Sequence, residues 1–219
     1  LYYKKSLQTW KKEADDGDSK AALWAALVYE RKLVPDSSPE KSVPYLLQAA
    51  ESGNLTAQGL LAFKYRDGLG VPQDAAKAVE WFEKAASRKD LGAVMELGIM
   101  FRDGKYLPPD REKAFHWFEK GAEWKDPYSM AALADMLLEG TPSAEQAARA
   151  LAPYREAAAA GYFPAALKAA ELLQNGKGGE LDADEAYRLL RRVADATGDP
   201  KAMYMLAQVY YTRGDEAQG

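Results

Sequence analysis

Small and large apolar positions recur along this chain in two alternating phrases, each returning every 36 residues. In one phrase a small residue stands at Ala26, Ala62, Gly98, Ala134 and Ala170, and Ala207 follows at 37. Five residues earlier come Ala21, Ala57, Ala93, Ser129, Ala165 and Ala202; three later come Tyr29, Tyr65, Phe101, Leu137, Leu173 and Tyr210. In the other phrase the small position is Ser6, Ser42, Ala78, Ala114, Ala150 and Ala186, with Trp10, Leu46, Phe82, Phe118, Tyr154 and Leu190 four residues on. Spacings of three and four share one helix face, so each phrase predicts an amphipathic helix.

Small residues such as Ala62 and Ala78 let two helix axes approach, and Tyr65 and Phe82 fill the space beside them. A single hairpin cannot cover its own apolar face, whereas about three or more in a row build a continuous core. The fold class expected is all-α, with about 12 helices paired into antiparallel hairpins and stacked into one array. Half a unit covers residues 1–17, full units cover 18–53, 54–89, 90–125, 126–161 and 162–198, and half a unit covers 199–219.

Polar and turn residues punctuate the array at the same period. Ser38, Asp74, Asp110 and Asp182 precede second helices, where a side-chain oxygen can accept from free N–H groups of the first turn. Pro39 suits the first helical position. Gly68, Gly104, Gly140 and Gly176 are expected to end first helices in the left-handed conformation. The fourth unit has a shorter loop with Ser143 as cap, and Pro44 and Pro153 lie inside helices that they should bend. The chain opens at Leu1 without Met and closes on DEAQG, so it reads as a processed or truncated piece whose last connection continues.

Charge and candidate chemistry exclude more than they assign. The net charge of −4 comes from interspersed acids and bases, with no basic stripe for nucleic acid. No apolar run reaches the roughly 18 residues of a membrane span. There is no Cys, so disulfides and thiol catalysis are excluded, and either a cytosolic or an oxidising compartment remains possible. The one histidine, His116, shares its slot with Pro44, Glu80 and Ala152 and is placed on the outer face, without a nucleophile beside it. One His cannot make a usual zinc site, so no metal and no cofactor is implied. GKGG from Gly176 to Gly179 lacks the Ser or Thr of a phosphate loop and reads as a helix-ending turn. Asp182, Asp184 and Glu185 lack EF-hand spacing and read as capping. Trp81 and Trp117 fall on packing slots; Trp124 is near a turn, either a contact residue or packed over that turn.

The second unit carries Ala57, Leu61, Ala62, Tyr65, Gly68, Gly70, Val71, Asp74, Lys77, Ala78, Trp81, Lys84, Ala85 and Ala86. The third repeats the pattern through Ala93, Leu97, Gly98, Phe101, Gly104, Asp110, Lys113, Ala114, Trp117, Lys120 and Ala122. This pattern resembles the Sel-one-like repeats, relatives of the tetratricopeptide repeat, and the resemblance covers nearly the whole chain. It implies a right-handed α-solenoid acting as a scaffold or adaptor. Many similar bacterial proteins are exported to the periplasm; some serve envelope polysaccharide export and some inhibit or regulate a partner. Fold alone does not assign function.

In tetratricopeptide-like stacks the first helices line the concave surface. On that basis the groove would be faced by Leu27, Phe63, Ile99, Asp135, Glu171 and Gln208, flanked by Leu23, Met95 and Tyr204 and by Arg66, Arg102 and Tyr211. The N-terminal part of this row is apolar with arginines at its edge, and the C-terminal part is more polar and acidic. Leu23, Leu27, Phe63, Arg66, Met95, Ile99, Arg102, Asp135 and Glu171 are therefore the candidate partner-binding residues. The alternative is that the apolar members pack against neighbouring first helices, and exposure of Phe63 and Ile99 separates the two readings.

The expectation is a non-catalytic scaffold for another, unidentified protein, in the periplasm or cell envelope, with the cytoplasm as alternative. A second expectation is a component of envelope polysaccharide synthesis or export, or the repeat domain of a larger carbohydrate-active protein. Asp135 and Glu171 occupy one slot of adjacent units, a spacing a glycan hydrolase could use. An inhibitor or immunity-type protein is a further alternative.

Overall fold

The computed structural model of the protein describes residues 2–177 and 181–213. Gly178 and Gly179 of the GKGG turn and the DEAQG end lie outside the described residues. Within them are twelve α-helices: α1 (Tyr2–Asp15), α2 (Ser19–Glu30), α3 (Pro39–Glu51), α4 (Leu55–Asp67), α5 (Ala75–Ala86), α6 (Leu91–Asp103), α7 (Arg111–Glu123), α8 (Pro127–Leu137), α9 (Ala144–Ala159), α10 (Phe163–Asn175), α11 (Ala183–Thr197) and α12 (Pro200–Arg213). The described residues contain no strand, and this is the all-α stack of hairpins that the period predicts. The chain divides into two compact units, Leu1–Ala114 and Phe115–Gly219, the division falling within the α7 segment.

In each unit, consecutive helices pack in pairs, α2 on α3 and α4 on α5 in the first, α8 on α9 and α10 on α11 in the second. The periodic small residues sit where axes approach. Ala26, Ala62, Ala134 and Ala170 are wholly buried, as are Ala78, Ala114, Ala150 and Ala186. Phe82, Phe118, Tyr154 and Leu190 are among the largest fully buried side chains. Trp81 and Trp117 are buried as packing residues, with Lys84 lying 3.7 Å over the Trp81 ring. A cation over an aromatic face adds attraction to the burial itself.

The caps explain why each helix starts where it does. Asp74 accepts from Lys77 N at 3.0 Å, Asp110 from Lys113 N at 3.0 Å, and Asp182 from Glu185 N at 2.8 Å. Their own N–H groups donate back to Tyr65, Phe101 and Leu173 carbonyls at 2.8, 2.8 and 3.2 Å, tying each second helix to the end of the first. A second ladder, absent from the sequence reading, caps the first helices. Asp18, Asn54, Asp90 and Asp126, again 36 apart, accept from the N–H three residues on.

Two expectations need correcting. Ser38 occupies the cap position of α3 with Pro39 next, but its hydroxyl accepts no backbone N–H; it holds the Glu40 carboxylate instead, which keeps that acid below its usual range. Gly68, Gly104 and Gly176 do cap their helices in the left-handed region, whereas α8 stops at Leu137 with Leu138 as cap, two residues short of Gly140. Ser143, five residues after the Leu138 cap, starts α9 with a full capping box, so the shortened loop takes its slack from the end of α8. The helices containing Pro44 and Pro153 run on through them without interruption.

Candidate protein-binding surface

The candidate row is set by register. In α2, α4, α6, α8 and α10, the buried small residue fixes which face turns inward, and its neighbour one residue on comes to the rim of that face. Leu27, Phe63 and Ile99 are all half-buried, as are Leu23 and Met95. This exposure lies between the two readings of the row. Phe63 meets Phe82 edge-on at 5.1 Å between centroids while carrying Arg66 4.8 Å above its own ring.

Arg66 is held from several sides. Its Nη1 donates to Glu96 at 2.6 Å, and its Nε and Nη2 donate to Asp67 at 2.8 Å each. The Tyr106 ring lies 5.3 Å away, and the Tyr106 hydroxyl donates to Asp67 at 3.1 Å. The guanidinium holds the Asp67 carboxyl below its usual range, and Asp67 in turn raises Arg66. Arg66, Glu96, Ile99, Met100 and Tyr106 line a small pocket of about 220 Å³. Sequence reasoning brought Arg66 and Ile99 to one surface but missed Glu96 and Tyr106. Arg66 and Glu96 are 30 residues apart, off the period, and Tyr106 sits in an inter-helix loop, outside the helix-face pattern. Arg102 repeats the local half of this arrangement, its Nε donating to Asp103 at 2.7 Å.

The second unit fills the same slots with acids. Asp135 and Glu171 are both exposed. Asp135 accepts from the hydroxyl of buried Tyr154 and lies 3.9 Å from Lys168 Nζ. Burial first, and then Asp135, push the Tyr154 hydroxyl above its ordinary range. Glu171 borders two larger recesses. One of about 560 Å³ runs along the α8–α9 loop, and one of about 860 Å³ is lined by α10, the start of α11, and Tyr204, Ala207 and Tyr211 of α12. The C-terminal part of the row is thus acidic only as far as Glu171. On α12 it turns aromatic, with Tyr204 64% and Tyr211 78% exposed.

The remaining candidates fall into place around these rows. His116 is exposed on α7, its ring against Trp117 at 5.4 Å. Trp124 is half-buried at the end of α7. Among the described residues no group of His, Cys, Asp and Glu could hold a metal ion, and no helix is long and apolar enough to cross a membrane.

A family model for the Sel1 repeat matches residues 20–54, 56–90, 92–123, 127–162, 164–197 and 200–218. No curated protein matches the chain. Among solved structures it is similar to c5321, a protective antigen present in uropathogenic Escherichia coli strains displaying an SLR fold. That likeness has 28% identity and a TM-score of 0.79, and it covers 94% of this chain. The chain spans 44% of the length of c5321. It is also similar to a Sel1 repeat protein from Oxalobacter formigenes, with 26% identity and a TM-score of 0.75, over 90% of this chain and 80% of that one. Sel1 repeats are generally non-catalytic protein–protein interaction scaffolds. With the model matched over six stretches, five of them each covering two successive helices, the chain belongs to the Sel1 repeat family.

Proposed function

We propose that this protein is a scaffold that holds a partner protein along the first-helix row of its first unit, at Leu23, Leu27, Phe63, Met95 and Ile99. The observation that carries the reading is the half-burial of these five side chains. A side chain fixed at its base loses little further freedom on binding, yet keeps apolar surface to bury. Leu27, Phe63 and Ile99 follow at 36-residue steps and suit the apolar face of an amphipathic helix or an extended segment. Arg66 serves this surface by lying over Phe63, since its charge is already met by Glu96 and Asp67.

A photo-crosslinking amino acid at position 27 or 99 tests the site. It should join the chain to a discrete protein in the cells that produce it, and the same group at position 135 should not. Equal crosslinking at positions 27, 99 and 135 would remove the first-unit row as the binding surface. Placement in the bacterial envelope is part of the proposal; it is supported by the family resemblance, and fractionation of the producing cells tests it.

A further inference from the structure

Two recesses occupy the same slots of the repeat, 72 residues apart. The small one in the first unit is lined by Arg66, Ile99, Met100, Asp103 and Lys105. The one along the α8–α9 loop in the second unit is lined at the matching positions by Leu138, Glu171, Leu172, Asn175 and Lys177. Each lies where the C-terminal ends of two first helices come together, α4 with α6 in one unit and α8 with α10 in the other. The first measures about 220 Å³ and the second about 560 Å³.

Two changes account for the difference. Arg66 reaches from α4 to Glu96 on α6 at 2.6 Å, so an ion pair of the chain's own spans the first-unit recess. In the second unit those two slots hold Leu138 and Lys168, which cannot form that bridge, and Lys168 lies 3.9 Å from Asp135 instead. The loop differs as well. Ser143 caps α9 three residues before the slot in which Asp74 caps α5, so the first turn of α9 brings Ala144 and Ala147 into the wall.

The open recess is chemically mixed. Leu172 and Ala147 are buried and Leu138 is half-buried, which gives an apolar floor. Ser143 is already engaged, its hydroxyl accepting from Gln146 N and its own N–H donating to the Gln146 side chain. Asn175 Oδ1 accepts from Lys177 N at 2.9 Å. Charge at the described lining comes from Glu171 and Lys177, both exposed, one a carboxylate and the other an ammonium.

We propose that this recess binds a small zwitterion, a linear aminocarboxylate. Its ammonium meets Glu171, its carboxylate meets Lys177, and its methylene chain lies on Leu138, Leu172 and Ala147. The volume falls inside the roughly 300–1,000 Å³ of small-molecule sites, which pair apolar walls with a few polar groups that fix orientation. Charge-assisted contacts at both ends select the class of ligand. Glu171 lies within α10 and Lys177 just beyond its Gly176 cap, six residues on. At the helical rise that is about 9 Å, which suits the two ends of an extended chain better than the adjacent charges of an α-amino acid. The site is separate from the first-unit row and does not depend on it.

Isothermal titration calorimetry of the full chain with 6-aminohexanoate tests the proposal. Saturable binding is expected, with hexanoate and hexylamine each at least tenfold weaker because each keeps one charged end. Glu171→Gln and Lys177→Gln should each weaken 6-aminohexanoate at least tenfold. Both positions are exposed, so unchanged helicity by circular dichroism is expected and checks that the variants fold. Glu171 also borders the recess beside α12, whereas Leu138 and Lys177 do not. Leu138→Arg, which introduces the side chain that spans the first-unit recess, should abolish binding, and Leu27→Asp should leave it unchanged. No saturable binding of 6-aminohexanoate, equal binding of hexylamine or hexanoate, or undiminished binding by Lys177→Gln or Leu138→Arg would overturn the proposal.

Discussion

The first helices of the two units share a register and differ in what they present. In Leu1–Ala114 the slot after the buried small residue holds Leu27, Phe63 and Ile99, half-buried. In Phe115–Gly219 it holds Asp135 and Glu171, exposed. In both the slot lies on a first helix next to a buried small residue, so the difference at the slot lies in the side chains. A repeat fixes where a residue is displayed, and the residue decides whether that display is for water or for a partner. The cations differ too. Arg66 is closed into a network with Glu96, Asp67 and Tyr106, whereas Lys168 of the second unit meets Asp135 only at 3.9 Å with both half in water. Exposed pairs of the latter kind contribute little.

Glycines give the largest expected contrast between the units. Gly70 and Gly140 have nearly the same φ, 78° and 76°. A Cβ on Gly70 would stand 2.6 to 2.8 Å from backbone atoms of Pro39 and Glu40, while one on Gly140 would meet nothing within 4 Å. Gly70→Ala should cost about 3 kcal/mol or more, combining left-handed strain with a backbone clash. Gly140→Ala should cost about 1 kcal/mol from strain alone. Urea unfolding of the two variants measures the gap, and equal costs would break the contrast.

A buried charge in the first unit comes next. Lys64 is nearly fully buried in a slot that elsewhere holds Val28, Met100, Met136 and Leu172, and it pairs with Glu30 at 2.6 Å. Removing the partner leaves that ammonium buried, so Glu30→Ala should cost about 2 kcal/mol, allowing for the partial exposure of Glu30. Lys64→Met, which restores the apolar character of the slot, should be close to neutral. Thermal melts of both variants decide this, and a Lys64→Met loss as large as that of Glu30→Ala would contradict it.

The Arg66 network adds a pH signature. Asp67 titrates below its unfolded value because Arg66 donates to it. Its contribution is therefore present above the unfolded carboxyl pKa of about 4 and is lost as pH falls through the folded value. Arg66→Ala should cost about 1–2 kcal/mol at neutral pH, and the deficit should shrink below about pH 4. A deficit independent of pH would place the role of Arg66 in packing over Phe63 alone.

The smallest effect runs the other way. Residues 17, 53, 89, 125 and 161 share one turn slot, held by Gly17, Gly53, Lys89, Lys125 and Gly161, all at positive φ. Lys89→Gly should relieve about 1 kcal/mol of left-handed strain. Lys125→Gly should give less, because it also removes the 2.9 Å pair with Glu156. Stability curves that show no gain at Lys89 would mean its side chain makes up for the strain.

The stack was legible because its causes are periodic. Paired small and large residues set the interfaces, and Asp74, Asp110 and Asp182 announced the helix starts. Gly140 misled because a glycine at the right interval does not show that α8 ends two residues sooner. Lys89 and Lys125 hid a positive φ that only their glycine counterparts disclose. For the surface, the row itself could be read from register, but the state of Arg66 could not, since it depends on Glu96 and Tyr106 from outside the repeat pattern.

The central claim is that the apolar row of the first unit, and not the acidic row of the second, holds the partner. The most direct measurement is quantitative co-purification of tagged chain from the producing cells, comparing Leu27→Asp/Ile99→Asp with Asp135→Asn/Glu171→Gln, each first checked for unchanged helicity. The account predicts that the first variant loses its partner at least tenfold and the second keeps it. Retention by the first variant, or loss by the second alone, would contradict the account.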